Sequence, residues 1–338
     1  MHNAETLLVT GGTGFIGGRL VRRLLADGHR VRALCLPNDP GAPPLAEMGA
    51  QVVAGDVTDH ASVASAVAGV SRIFHCAGVV TDWAPRASFE RVQVDGMVNM
   101  LRAAVDQRVE RFCWISTNDV FGPREGRVIT ERDDLRRWSE PYPDTKIASE
   151  RLAWRAYARW RLPVTTVYPC WVHGPGDRTF VPVLADAIVR RQVVFWRRDS
   201  LVWPAYVDNV VDLLVRVGWA DAAVGQGYLV HDGVCVTFQE FARRIAEHLG
   251  VSPPRHHVPY GVAYAAAAVM ELGWNLFGIR SRPLLTTYTV TNLGSRLHFS
   301  IDKARDELGW TPPVEFDQAF AETMHWLQMF DAASLKTK

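Results

Sequence analysis

Short apolar runs alternate with segments of helical spacing along the first half of the chain. Leu7-Leu8-Val9 predicts a buried strand, and Arg19-Leu20-Val21-Arg22-Arg23-Leu24-Leu25 has the spacing of an amphipathic helix. Five further strands are expected: His29 to Leu36, Gln51 to Ala54, Arg72 to Cys76, Phe112 to Ser116, and Leu162 to Tyr168. Helices are expected over 60–68, 87–107 and 142–161. Strands alternating with helices predict an α/β fold, a doubly wound parallel sheet covered on both faces. Pro37 to Pro44 is a breaker cluster. The polar stretch from Gly122 to Pro141 is longer than an ordinary connection, which points to function or a lid.

Beyond Pro169 the alternation breaks down. Helices are expected near 178–191, 208–219, 237–249, 259–278, 301–308 and 315–328. Residues 1–170 therefore carry the sheet, with roughly 200–235 returning to it. Residues 171–330 form mainly a smaller, helical lobe. The segment Gly261 to Met270 is apolar all round, yet too short to span a bilayer. It reads as a buried or lobe-packing helix, as the wall of a greasy pocket, or as a membrane-facing patch.

The turn after the first strand is the first sign of chemistry. Thr10-Gly11-Gly12-Thr13-Gly14-Phe15-Ile16-Gly17 contains G-x-G-x-x-G at Gly12, Gly14 and Gly17. Glycine tightens such a turn and lets backbone approach a pyrophosphate. The helix N-terminus behind it presents N–H groups and a positive dipole end to phosphates. The order of strand, glycine turn and helix points to a dinucleotide.

Composition narrows the classes. The chain has 338 residues and a net charge of +1, with no basic footprint for nucleic acid; the doublets Arg190-Arg191 and Arg197-Arg198 read as solvated surface. Five cysteines are widely spaced with no C-x-x-C, so no metal site is expected. The opening residues Met1 to Thr6 lack the order of a signal peptide. A reduced, cytoplasmic setting follows, with membrane association left open. A homodimer is compatible with the length.

Lysine is scarce, four against 33 arginines, which makes Lys146 informative. Tyr142 precedes it by one helical turn, so both lie on one face. An ammonium beside a phenol favours the phenolate. Such a tyrosine can exchange a proton with an alcohol or carbonyl. Ser116 and Thr117 follow the fifth strand, at the end of the sheet where ligands collect, and either hydroxyl could hold a reacting oxygen.

With these residues the chain resembles the extended short-chain dehydrogenase/reductases, which have a Rossmann sheet. The resemblance rests on T-G-x-x-G-x-x-G at Thr10–Gly17 and Y-x-x-x-K at Tyr142–Lys146. It extends to Gly55-Asp56-Val57, His75-Cys76-Ala77-Gly78 and Gly174-Pro175-Gly176-Asp177. It implies Thr117, Tyr142 and Lys146 as the catalytic set, with Ser116 as the alternative to Thr117. It implies cofactor contacts from Gly11, Thr13, Gly14, Phe15, Ile16, Gly17, Asp56, Val57, Cys76, Ala77, Gly78, Tyr142, Lys146, Pro169 and Val172. Lys146 would bond the nicotinamide ribose. Gln93 stands where the family often has asparagine. The cofactor is NAD or NADP: Asp39 could meet a ribose hydroxyl and Arg32 a phosphate, with a lean to NAD.

Within the family, sugar dehydratases carry Ser-Thr-Asp-Glu-Val-Tyr-Gly. Here the stretch reads Ser116-Thr117-Asn118-Asp119-Val120-Phe121-Gly122, and Asn118 replaces the general acid. Thr81-Asp82-Trp83 and Tyr206-Val207-Asp208-Asn209-Val210 look like the 3β-hydroxysteroid dehydrogenase branch. That branch implies a small-molecule substrate with a large apolar body, met by Trp83, Asn118 and Trp171, with Trp196 and Trp203 as further pocket candidates. A sterol 3-hydroxyl, including that of a 4-carboxysterol, and a long-chain 2-alkyl-3-keto acid both fit. A nucleotide-sugar epimerase, with Arg178 or Arg282 on a diphosphate, and a nucleotide sensor without turnover are the alternatives.

Overall fold

The structure is a computed structural model that describes residues 5–197, 199–279 and 281–330. Seven parallel strands form the central sheet: β1 (Thr6–Thr10), β2 (Arg30–Cys35), β3 (Gln51–Ala54), β4 (Arg72–His75), β5 (Arg111–Ile115), β6 (Val164–Pro169) and β7 (Gln226–Val230). Their order is β7-β6-β5-β4-β1-β2-β3. The chain winds outward from β1 in both directions, which opens a crevice at the carboxyl ends beside β1 and β4. The central strands are apolar on both faces because helices cover both faces.

On one face, α1 (Phe15–Ala26) and α8 (Val207–Trp219) bury Leu20, Val21, Leu24, Val210, Leu213 and Leu214. Each such side chain contributes roughly 1.5–3 kcal/mol by leaving water. Also here are α2 (Ala42–Glu47) and α12 (Asp302–Leu308). On the other face lie α3 (His60–Val67), α5 (Gly96–Asp106) and α6 (Pro141–Trp160), meeting over Val63, Met97 and Ala153. A short α4 (Arg86–Phe89) leads into α5 through a wide π turn at Glu90–Asp95.

The lobe has its own core, built by α7 (Val181–Val189), α9 (Phe238–His248) and α13 (Phe316–Gln328) around Phe241, Ile245 and Met324. A second unit pairs α10 (Tyr260–Leu276) with α11 (Thr287–Leu293). Together they bury Ala263, Ala267 and Val290 against Trp196.

Three departures from the sequence reading matter. The breaker cluster runs into α2, whose prolines Pro43 and Pro44 lie in its first turn, where no amide donor is missed. β7 adds a seventh strand beside β6. The apolar helix packs in the lobe, as one expected reading has it, but on one side only: α10 packs through its alanine stripe and leaves Val262, Val269, Leu272 and Leu276 exposed. The long connection 122–141 is pinned where Val128–Ile129 pairs with His298–Phe299.

Candidate active site

The glycine turn is shaped by contacts that only glycine allows. Gly11 has φ +64°, and a Cβ there would come within 2.9 Å of the Ala77 amide. A Cβ at Gly17 would collide with the Gly11 carbonyl oxygen. The turn closes through the Gly14 amide donating to Gly11 O at 2.9 Å. No side chain caps α1, so its first amides are free to face an anion. This cradle fits a dinucleotide pyrophosphate.

The loop after β4 lies directly against that turn. Thr10 Oγ1 hydrogen-bonds His75 Nδ1 at 2.8 Å and accepts from the Ala77 amide at 3.1 Å. Cys76, partly exposed, and Ala77 therefore sit beside Gly11. A Cβ on Gly78 would be 3.6 Å from Lys146 Nζ, so this loop joins the glycine turn to α6. After β6, Pro169 ends the strand, and Val172 packs against Tyr206, Val207 and Ala319, the cluster that Phe15 and Ile16 at the start of α1 also meet. Gly176 brings its loop over the Phe15 ring. Asp56 accepts from the Thr58 amide at 2.8 Å, and Val57 is buried against Gly96.

The two residues at the cofactor-selecting position part ways. Thr13 Oγ1 donates to Asp39 Oδ2 at 2.5 Å, which sets a carboxylate at the mouth of the glycine turn. Arg32 is spent elsewhere: it donates to the Ala66 and Ala68 carbonyls at 2.7 and 2.8 Å. The expectation that Arg32 could meet a cofactor phosphate is therefore corrected.

Thr117, Tyr142 and Lys146 meet at the carboxyl end of β5. Thr117 caps the turn of residues 118–121, accepting from the Asp119 amide at 3.3 Å. Its hydroxyl is near enough to the Tyr142 phenol to favour the phenolate. Asn118 is buried beside it, its Oδ1 accepting from Thr117 at 3.5 Å. Ser116 faces away and donates to the buried Glu150 at 3.0 Å. Tyr142 lies between the rings of Phe89 and Tyr288, at centroid distances of 6.4 and 6.5 Å.

Lys146 is tied to the end of β5. Lys146 Nζ donates to the Ile115 carbonyl at 2.9 Å, and burial pushes its ammonium down to about 8. The Tyr142 phenol is pushed up, first by burial and then by the charge of Asp119, while Thr117 opposes the rise.

Asp119 and Tyr288 carried no sequence signal of their own. Asp119 is buried, and burial raises its carboxyl to about 6 against the hydrogen bonds from Tyr288, Asn292 and Thr117. Tyr288 comes from α11 and donates to Asp119 Oδ2. Gln93, in the π turn, donates to Val79 O at 2.8 Å and accepts from Thr145 at 2.5 Å. It ties the β4 loop to the first turn of α6, and wide turns of this kind often mark functional sites. Arg282 forms a two-pronged pair with Asp82, at 2.6 and 2.5 Å. Trp83 is partly buried beside it. Trp171 packs on Phe180 at 4.8 Å in the lobe core, and Trp196 and Trp203 donate to the carbonyls of Val290 and Leu297.

The model of the NAD dependent epimerase/dehydratase family matches residues 7–229. A 3-beta-hydroxysteroid dehydrogenase from Mycolicibacterium neoaurum is 30% identical, over 96% of this chain and 92% of that protein. A 2-alkyl-3-oxoalkanoate reductase from Stenotrophomonas maltophilia is 29% identical, over 92% of this chain and 96% of its own. Among solved structures, dTDP-glucose 4,6-dehydratase DesIV from Streptomyces venezuelae, a double mutant with NAD bound, superposes with a TM-score of 0.77. Its identity is 24%, over 95% of this chain and 96% of that one.

Proposed function

Since the chain belongs to the NAD dependent epimerase/dehydratase family, we propose that it interconverts a secondary alcohol and a ketone on a large apolar body, a 3β-hydroxysteroid or sterol. It is an oxidoreductase of the short-chain dehydrogenase/reductase type, with NAD as its cofactor. The observation that carries the substrate class is the setting of Tyr142. Two hydroxyls, those of Thr117 and Tyr142, lie together in a frame made by the rings of Phe89 and Tyr288. Small-molecule pockets are mostly apolar with a few placed polar groups, and this is such a frame. Of the two cations that could hold a diphosphate, Arg178 and Arg282, the second is engaged by Asp82.

In this reading the Thr117 hydroxyl orients the substrate oxygen. Tyr142 takes the hydroxyl proton during oxidation and returns it during reduction. Lys146 fixes α6 on the end of β5 and offers its remaining N–H groups toward the ribose. When bound, the nicotinamide supplies the hydride acceptor or donor. The residues of the glycine turn, with Cys76, Ala77 and Gly78, line that cofactor.

Among the described residues, no helix is long and apolar enough to cross a membrane. The exposed apolar face of α10 supports contact with a lipid surface, where a sterol would be met. The five cysteines are free, which accords with a reduced, cytoplasmic setting.

The test is direct. NAD-loaded protein is offered a 3β-hydroxysterol, a long-chain 2-alkyl-3-keto acid with NADH, and a uridine-diphosphate sugar, and absorbance is followed at the reduced-cofactor band. Turnover of the sterol supports the reading. Turnover of the keto acid alone moves the assignment to the reductase. Saturable binding of the sugar alone overturns the apolar substrate.

A further inference from the structure

Helix α11 meets the sheet through donors that converge on two carboxylates. Thr286, Thr289 and Arg282 donate to Asp82, past the carboxyl end of β4. Tyr288 donates to Asp119, past the carboxyl end of β5, and Asn292 Nδ2 reaches the same carboxylate at 3.5 Å. Asn292 also donates to Tyr288 Oη at 3.1 Å, so one helix face fixes both ends of the contact.

Asp119 is bound into the catalytic elements by its own backbone. Its amide donates to Thr117 Oγ1, and its carbonyl accepts from Trp138 Nε1 at 2.5 Å. The Trp138 ring meets Tyr288 edge-on at 5.6 Å, and Tyr288 meets Tyr142 edge-on at 6.5 Å. A continuous set of contacts thus runs from the lobe helix to the tyrosine.

We propose that Asp119 and Tyr288 are a positioning pair for the Thr117–Tyr142 couple: Tyr288 holds the Asp119 carboxylate in place, and Asp119 in turn holds the turn that carries Thr117 beside Tyr142. The inference rests on Tyr142 being the proton-transfer residue. The groups in contact with Asp119 are Tyr288 and Asn292 from α11 and Thr117 from the catalytic side, while Tyr142 and Cys170 lie within reach of its charge. The cation at this lobe edge, Arg282, is held by Asp82 instead. A negative charge at Asp119 opposes a second one forming on Tyr142, as like charges in a buried site do. Docking of α11 therefore couples the lobe to the proton that the reaction moves.

The experiment follows Tyr142 directly. NAD-loaded protein carrying ¹³C at tyrosine Cζ is titrated by NMR, with the Tyr142 signal identified by its loss in Tyr142→Phe. In Asp119→Asn the Tyr142 titration is expected to move to lower pH by about 1 or more. Rising kcat/KM for oxidation of a 3β-hydroxysteroid should move the same way. Tyr288→Phe keeps the ring and loses the donor; its kcat should fall several-fold while NAD affinity holds. An unmoved Tyr142 titration in folded Asp119→Asn, or parental kcat in Tyr288→Phe, overturns the pair. Should Asp119→Asn fail to fold, Asp119→Ser carries the same expectation. Parental turnover in Tyr142→Phe would instead remove the proton-transfer role, while the titration of Tyr142 in Asp119→Asn still reports on the pair.

Discussion

The Lys146 ammonium is hydrogen-bonded to the Ile115 carbonyl across 2.9 Å, at the seam between α6 and the end of β5. Burial lowers its proton affinity to about 8, against an unfolded value near 10.5. Between those values the folded chain holds fewer protons than the unfolded one, so this residue's contribution to stability rises with pH across the window. Lys146→Met removes that contribution. The variant should unfold hotter than the parent at pH 7.5, and its margin should shrink by roughly 1–2 kcal/mol at pH 9.5. Calorimetry of both proteins at the two values checks this, and a constant margin would reject it.

The outline of the sheet was legible because its strands are apolar on both faces and separated by helix-length segments. The catalytic spacing was legible because Tyr142 and Lys146 are one helical turn apart. What escaped is held by tertiary contacts. Thr287-Tyr288-Thr289-Val290-Thr291 is rich in residues that favour strands, yet it forms α11 because Asp82 and Asp119 receive its hydroxyls. Gln226-Gly227-Tyr228 carries a glycine that weakens a strand pattern, and its partner β6 supplies the reason it extends. The choice between Ser116 and Thr117 was open in the sequence, since only the direction of each side chain separates them. The structure turns Ser116 onto Glu150.

The glycines of the turn should differ in kind. A methyl at Gly17 has no room, because it meets backbone at Gly11 rather than a flexible side chain. Gly17→Ala is therefore expected to lower thermal stability and to abolish NAD binding together. A Cβ at Gly14 would lie 3.1 Å from the Gly11 oxygen, a crowding that a small shift relieves. Gly14→Ala should fold and lose NAD affinity by about tenfold, equivalent to ~1.4 kcal/mol. Titration calorimetry separates the two, and parental affinity in Gly14→Ala would remove Gly14 from the cofactor contacts.

The Thr13–Asp39 hydrogen bond sets the expected cofactor preference. A carboxylate at this position suits a ribose hydroxyl and repels a 2′-phosphate. The parent should bind NAD at least tenfold more tightly than NADP. Asp39→Ser keeps a hydroxyl and removes the charge, so the gap should narrow mainly through better NADP binding. Calorimetry with both nucleotides reads the change. An unaltered ratio would place the selecting group elsewhere on the β2 end.

The Arg282–Asp82 pair should govern access to the site more than stability. Burial alone would raise the Asp82 carboxyl, but Arg282, Thr289 and Thr286 outweigh it and hold it below the usual range. A carboxylate lowered in this way gives stability that is present above its unfolded value and lost only in acid, as pH falls through the folded one. At neutral pH the latch is complete and does not act as a pH switch. Arg282 keeps 39% of its side chain exposed, so solvent screens the pair and its worth is at most about 1 kcal/mol. Arg282→Ala should therefore unfold within a few degrees of the parent. Its effect should appear in catalysis, because the pair fixes the N-terminal end of α11, the helix that brings Tyr288 to Tyr142. Steady-state kinetics at saturating NAD should show KM for a 3β-hydroxysteroid raised several-fold, with NAD affinity unchanged. Added salt should raise the parental KM toward that of the variant. Equal KM values for parent and Arg282→Ala, at low and high salt alike, would mean that α11 stays docked without this pair, through the bonds of Thr286 and Thr289 to Asp82 and of Tyr288 to Asp119.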